Sequence, residues 1–411
     1  MTAATAPAAA ARAPSVARRR RPLWLRILRI VALVVAILLV LVAVLLATAV
    51  VRRGQTVELP RPTGASPVGR VEFVLTDTAR PDPFVDGATS RSLPIWLWYP
   101  SSGGTSSPAP YVSSAWAAGA DTADGVFASL RQDLRSVKSS STANAAMRGT
   151  PPVVILFPGL GLSIPDYTTL AEDLASRGYA VVGVNEPGSS GAVAYPDGHV
   201  VFGSPKGNID PALLSNPDGW YSAAGAITTN WVADARFVVE SLKATPPSVG
   251  ALDFSRVSYV GHSLGGAAAF EVCHEDSSCA AAVDLDGTLW TDVRHSGLTA
   301  PGLILESTNW PDDCAGDVFC QRARADYATV KGAGNVRRFV LDGSKHLNYS
   351  DAGVRFEPLR AQVGALGSID GTRALTITRE VVASFIDNAT KRSGAKPFDS
   401  AVAQFTELRE R

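Results

Sequence analysis

The residues best suited to covalent chemistry are Ser263, in the run Gly261-His262-Ser263-Leu264-Gly265-Gly266, and His346, in the run Gly343-Ser344-Lys345-His346-Leu347. A serine hydroxyl is a poor nucleophile at neutral pH. It needs an imidazole within hydrogen-bond reach to take its proton, and a carboxylate to orient that imidazole. Such a set performs acyl transfer through a covalent acyl-enzyme. The five-residue glycine-serine-glycine pattern recurs by chance, and its context gives it force. The apolar run Val257 to Val260 leads into it, and a stretch rich in small residues leaves it from Leu264. Gly261 and Gly265 suit a tight strand-to-helix elbow that pushes the Ser263 hydroxyl out at the carboxyl end of a strand. The amide of Leu264, at the start of the helix, favours developing negative charge.

Five histidines make the search for the base short. His199 precedes the serine and His262 lies inside the elbow. His274 and His295 follow it too closely to leave a strand-borne acid ahead of them. His346 remains, in a loop after the apolar run Val336 to Leu341. The acid is open at this point. Asp286, followed by Gly287, ends the run Ala280 to Leu285, and Asp284 lies two residues earlier. Glu306, Asp312 and Asp313 follow the next strand, Gly302 to Glu306.

The elements that must position these groups have the pattern of a parallel sheet. Pro152 to Phe157 reads as a buried strand, then a glycine turn, a helix over Tyr167 to Arg177, and a strand Ala180 to Val184. Strand, helix, strand with short links is a right-handed βαβ unit. A helix over Ile227 to Lys243 leads to the elbow strand, and the strands before Asp286, Glu306 and His346 continue the pattern to a closing helix, Thr376 to Ile386. Val71 to Leu75 and Leu93 to Tyr99 predict antiparallel opening strands. Residues 101–150 read as a surface insertion, with an amphipathic helix near Val126 to Val137. Residues 188–226 read as a lid or pocket loop, or equally as an ordinary surface loop. Residues 52–68, with Pro60, Pro62 and Pro67, read as a linker, 69–390 as the catalytic domain and 391–411 as a tail.

Composition bounds the partners. Thirty-eight basic residues against 38 acidic give no net charge, which argues against nucleic acid as a partner. Residues 1–29 read as a disordered basic segment. Ile30 to Val51 is a run of 22 residues without a charge, and at 1.5 Å per residue it covers roughly 33 Å, enough to cross a bilayer. Seven arginines from Arg12 to Arg29, against Arg52 and Arg53 beyond the run, place the amino terminus in the cytoplasm and the rest outside. The run is read as an uncleaved signal anchor; Ala47-Thr48-Ala49 offers cleavage and secretion as the alternative. Four cysteines, Cys273, Cys279, Cys314 and Cys320, all follow this run, as disulfides in an oxidising compartment would. Three connectivities exist, of which 273 to 279 with 314 to 320 costs least chain entropy. The five-residue spacing does not suit zinc, and no metal or other cofactor is expected.

The strings PVVILFPGLG, YTTLAEDLASRGYAVVGVNEPGSSG, GHSLGG, AVDLDGTLW and GSKHLNYSD, with LPIWLWYPS before them, resemble the platelet-activating factor acetylhydrolase family of the plasma, lipoprotein-associated type, within the α/β-hydrolases. The resemblance runs from Val71 to Phe385. It implies an α/β-hydrolase fold, no cofactor, and cleavage of short or oxidised acyl esters of phospholipids. It also implies that the acid is Asp286 and that the amide of Leu160 joins that of Leu264 in the oxyanion hole. The family usually has histidine where Pro158 stands; a backbone amide donor survives that change. A Cys273 to Cys279 bridge would tie the exit of the nucleophile helix to the strand leading to Asp286, or serve general stability alone. Two other readings stand beside this one: a cutinase-like or lipase-like esterase, with its acid one strand later, and an inactive scaffold acting as a binding module.

Overall fold

The computed structural model describes residues 22–103, 107–310, 313–332, 335–392 and 394–411. Most of the expected basic segment, residues 1–21, and the acid candidate Asp312 lie outside them. The chain forms two compact units, one ending at Val50 and the other running from Val51 to Arg411. The first carries nearly all of helix α1, Leu23–Arg53, whose apolar side chains are exposed along its length. It is long and apolar enough to cross a membrane.

The second unit is built on one large sheet, with a separate two-stranded sheet beside it. In chain order its elements are β1 (Val57–Glu58), β2 (Val68–Asp77), β3 (Arg91–Pro100), β4 (Pro108–Pro110), α2 (Ser114–Asp124), β5 (Val137–Ala143), β6 (Pro152–Phe157), α3 (Thr168–Ser176), β7 (Ala180–Val184), β8 (Ala192–Ala194), β9 (Val200–Phe202), α4 (Pro217–Ala244), β10 (Asp253–His262), α5 (Leu264–Glu275), β11 (Cys279–Leu285), α6 (Val293–Ser296), β12 (Gly302–Glu306), α7 (Val318–Gly332), β13 (Val336–Leu341), α8 (Pro358–Gln362), α9 (Gly371–Ala389), α10 (Phe398–Val402) and β14 (Leu408–Glu410). The strand order is β1-β5-β2-β3-β7-β6-β10-β11-β12-β13-β14. From β7 to β13 every pairing is parallel; β2 with β3, β3 with β7, and β13 with β14 are antiparallel.

Alternation along the strands feeds two cores. Trp96, Trp98, Val154 and Leu156 face α3 and α9, whereas Ile95, Leu97, Val153 and Ile155 face α4, α5 and α7. Strands buried on both faces need apolar residues at every position, which is why β6 reads PVVILF without alternation. Helix α5 is buried from Leu264 to Cys273, because its glycines and alanines let the backbone lie close to the sheet.

Four expectations need correction. Residues 52–68 are not a free linker: β1 pairs with β5, Leu59 is buried, and Arg53 pairs with Asp121 at 2.7 Å. Residues 101–150 are more than a surface insertion, since β5 also pairs with β2. Their helix lies at Ser114–Asp124, where Ser113 caps it by accepting from Trp116 N–H, and not at Val126 to Val137. Residues 391–411 are not a tail: β14 closes the sheet edge, and Phe398 packs against Phe385 and Phe339.

Candidate active site

Ser263 stands between β10 and α5 with φ 57° and ψ −123°, a backbone conformation that L residues rarely adopt. Glycine is required on both sides of it by close approach. A Cβ on Gly261 would fall 2.0 Å from the carbonyl oxygen of Gly265, and one on Gly265 would fall 2.3 Å from that of Pro158.

Asp286 follows β11 directly, also at φ 57°. Its side chain is buried. Oδ1 accepts from Ser307 N–H at 2.6 Å, and Oδ2 accepts from Ser307 Oγ at 2.9 Å. Oδ2 also lies 2.7 Å from His346 Nδ1, in the loop after β13. A carboxylate only accepts, so Nδ1 carries the proton and Nε2 is the ring's free acceptor. The imidazole is 37% exposed against 1% for the carboxylate, so the carboxylate is shielded and the imidazole reaches the cavity.

The other acid candidates are used differently. Asp284 lies under α5, where a Cβ on Gly266 would meet its Oδ1 at 1.8 Å. Gly287 N–H donates to Oδ1 at 2.8 Å, while Oδ2 is buried without a partner among the described residues. Burial first, then the nearby Asp286 and Glu306, raise its pKa well above the usual carboxylate range. Glu306 is buried between Arg338 at 2.6 Å and Arg411 at 3.0 Å. Asp313 is exposed, accepting from Ala315 N–H. Of the other histidines, His199 pairs with Asp197 at an exposed turn and His274 contacts Ser296. His262 is buried beside the elbow.

Leu160 lies in the loop after β6. Its neighbours' amides are engaged: Gly159 N–H donates to Tyr167 Oη at 2.9 Å, and Gly161 N–H to the carbonyl of Ser189 at 3.0 Å. Among the described residues, the amides of Leu160 and Leu264 donate to no atom of the chain. The loop rests on a buried ionic cluster that the sequence did not disclose. Arg91 meets Asp82 at 2.9 Å, Glu186 at 2.7 Å and Asp234 at 3.0 Å, and donates to the carbonyl of Pro187 at 2.8 Å. It fixes residues 186–190, to which Gly161 is bonded. Arg91 opens the apolar strand β3, and its charge, fully buried there, demands buried carboxylates.

Ser263, Leu264, Leu160, Asp286 and His346 share one cavity of ≈ 270 Å³. Its walls are Ile209, Leu214, Trp220, Tyr221, Trp290, Trp310 and Phe319. Tyr221 meets Trp290 edge-on at 4.7 Å, and Trp220 meets Phe319 edge-on at 5.9 Å. Both cysteine pairs are bridged locally, Cys273 to Cys279 and Cys314 to Cys320. The second bridge closes a loop that contains Phe319, so it constrains a cavity wall. Within residues 188–226, Ile209, Leu214, Trp220 and Tyr221 reach the cavity, while Ser189 and Ser190 are buried under the Leu160 loop.

The family model for platelet-activating factor acetylhydrolase, isoform II, matches residues 223–404, a span that contains Ser263, Asp286 and His346. A probable 1-alkyl-2-acetylglycerophosphocholine esterase from Arthroderma benhamiae is 26% identical over 147 residues, 36% of this chain. Over that span the chain is similar to the platelet-activating factor acetylhydrolase family. The chain spans about a third (34%) of the length of that curated relative. In structure it is similar to a ferulic acid esterase from Streptomyces cinnamoneus, with a TM-score of 0.69 and 29% identity, over 87% of this chain and 99% of the other. The fold is that of an α/β-hydrolase.

Proposed function

We propose that this protein is a serine carboxylic ester hydrolase that works through an acyl-enzyme. Ser263 Oγ attacks the ester carbonyl, and His346 Nε2 takes the proton and returns it to the leaving alcohol. Asp286 holds His346 in the tautomer this needs and stabilises the imidazolium. The amides of Leu160 and Leu264 donate to the oxyanion. Water then repeats the sequence on the acyl-enzyme. The observation that carries the reading is the 2.7 Å contact between a buried Asp286 and His346 at the cavity holding Ser263.

The substrate class we propose is a short or oxidised acyl ester of the kind phospholipids carry, in keeping with the similarity to the platelet-activating factor acetylhydrolase family. A second reading, an ester with an aromatic acyl group, is favoured by the ring-lined cavity and by the structural likeness to a ferulic acid esterase. We further propose that α1 anchors the protein in a membrane with the hydrolase domain outside, where the two disulfides persist. The test is hydrolysis of acetyl-glycerophospholipid, short and long nitrophenyl esters and methyl hydroxycinnamate, with Ser263→Ala as control. Preference for the first two over the hydroxycinnamate supports the phospholipid class, and the reverse order supports the aromatic one. Turnover that survives Ser263→Ala overturns the mechanism.

A further inference from the structure

We propose that His262 is a positioning residue: its ring braces the loop carrying His346 against the loop carrying Leu160, so that base and oxyanion donor keep one frame around Ser263. The inference rests on the hydrolase reading above, and it begins from topology. The nucleophile follows β10, the Leu160 loop follows the neighbouring β6, and the His346 loop follows β13, three places away in the sheet. Among the described residues no ladder hydrogen bond joins β10 to β13 directly, and the Asp286 contact reaches His346 from β11, so a link from the elbow itself to the His346 loop must come from elsewhere.

The ring of His262 makes that link, and its protons are assigned by elimination. His262 Nε2 lies 2.8 Å from the carbonyl oxygen of His346, which only accepts, so Nε2 carries a proton. The imidazole is fully buried, and burial first, then the nearby His346 ring, holds its pKa well below the usual histidine value, so it is neutral with one proton. Nδ1 is therefore an acceptor, and Tyr167 Oη donates to it at 2.7 Å. Tyr167 Oη in turn accepts from Gly159 N–H at 2.9 Å. The chain runs unbroken from the residue before Leu160, through Tyr167 and His262, to His346 itself. The loop also packs directly on the ring, since a Cβ on Gly159 would fall 2.8 Å from Nδ1.

Substitution can cut either end. In His262→Asn the amide oxygen stands near the place of Nδ1 and keeps the Tyr167 bond, but no donor reaches the His346 carbonyl. In His262→Gln the donor is kept and the Tyr167 bond is lost. Tyr167→Phe breaks the bridge beside Gly159.

The experiment uses the full chain in lipid nanodiscs, with kcat and KM on nitrophenyl acetate for wild type, the three single variants and Tyr167→Phe/His262→Asn. The wild type, labelled with ¹⁵N-histidine, gives the tautomer of each of its five histidines. The expected result is a kcat about 10- to 100-fold lower in His262→Asn and in Tyr167→Phe with KM nearly constant, because a misplaced base or donor costs rate before it costs binding. His262→Gln is expected to lose less than His262→Asn, and the double variant to be no slower than the slower single. In the spectrum, His262 is expected as the neutral, Nε2-protonated form from about pH 6 to pH 9. Unchanged kcat in folded His262→Asn, multiplicative losses in the double variant, or an Nδ1-protonated or charged His262 would each overturn the proposal. The spectrum needs no turnover and no variant, so it stands even if a variant misfolds. Failure of the hydrolase reading shows separately, as wild-type turnover that persists in Ser263→Ala.

Discussion

Ser263 and Asp286 share a backbone φ of 57°, and each donates its amide to the carbonyl of the next strand along: Ser263 N–H to Leu285 at 2.9 Å, Asp286 N–H to Leu305 at 2.9 Å. Both residues therefore cap adjacent parallel strands in a strained conformation that their neighbours impose. Strain of this kind costs of order 1–3 kcal/mol per residue and persists only where the surroundings over-determine it. Here the surroundings are the ladder bonds of β10, β11 and β12 and the close-packed glycines of the elbow.

Asp286→Asn should lower kcat about 10⁴-fold, since the amide can no longer select the working tautomer of His346. Glu306→Gln should behave differently. Its carboxylate neutralises Arg338 and Arg411 away from the cavity, so the variant should lose about 3 kcal/mol of stability while the folded fraction turns over normally. Denaturant unfolding and kcat measured on the same samples separate the two outcomes.

Ser307→Ala removes the hydroxyl that donates to Asp286 Oδ2 but keeps the Ser307 amide on Oδ1. Losing one hydrogen bond to a charged group, worth about 1.5 kcal/mol, should cost about tenfold in kcat/KM. Steady-state kinetics at saturating and limiting substrate check this.

Removing the Cys273 to Cys279 bridge by a double serine substitution frees a loop of six-residue separation. The chain-entropy model gives a loss of about 2 kcal/mol, seen as a lower melting temperature. Turnover of the folded fraction at 25 °C should stay close to wild type, because β11 remains in register through its ladder to β10.

Asp351 gives a stability signature with a defined sign. Burial, opposed by Thr169 and Arg355 and reinforced by Asp166, pushes its carboxyl up to about 7. Its oxygens accept from Thr169 N–H at 3.3 Å and from Tyr111 Oη at 3.4 Å. The folded state thus holds a proton that the unfolded chain releases near pH 4, so this contribution is whole below about pH 4 and lost as pH rises through about 7. Asp351→Asn should flatten the fall over that window, by up to about 4 kcal/mol at its upper end. Equilibrium unfolding of both proteins at intervals between those pH values is the check.

Much of the scaffold was legible because buried strands leave apolar runs: Pro152–Phe157, Ala180–Val184, Gly302–Glu306 and Val336–Leu341 stand where their residues predicted. The closing strand β14, LRE, was not, since its three residues carry no apolar pattern and its place is set by pairing with β13. The residues alone also left Asp286 and Glu306 open. Each is a carboxylate at the end of a central strand, and what separates them is a partner 60 residues from Asp286 and two arginines 32 and 105 residues from Glu306. His262 was set aside as a base for its place in the elbow, and its contacts to Tyr167 and His346 span 95 and 84 residues, beyond any local signal.

The most direct test of the central claim is labelling of the full chain by a fluorophosphonate probe, read as a mass shift on the peptide that contains Ser263. The account predicts one equivalent of label on Ser263, no label in Ser263→Ala, and labelling slowed by orders of magnitude in His346→Ala. Label on another residue, or no label on folded wild-type protein that still cleaves esters, would contradict it.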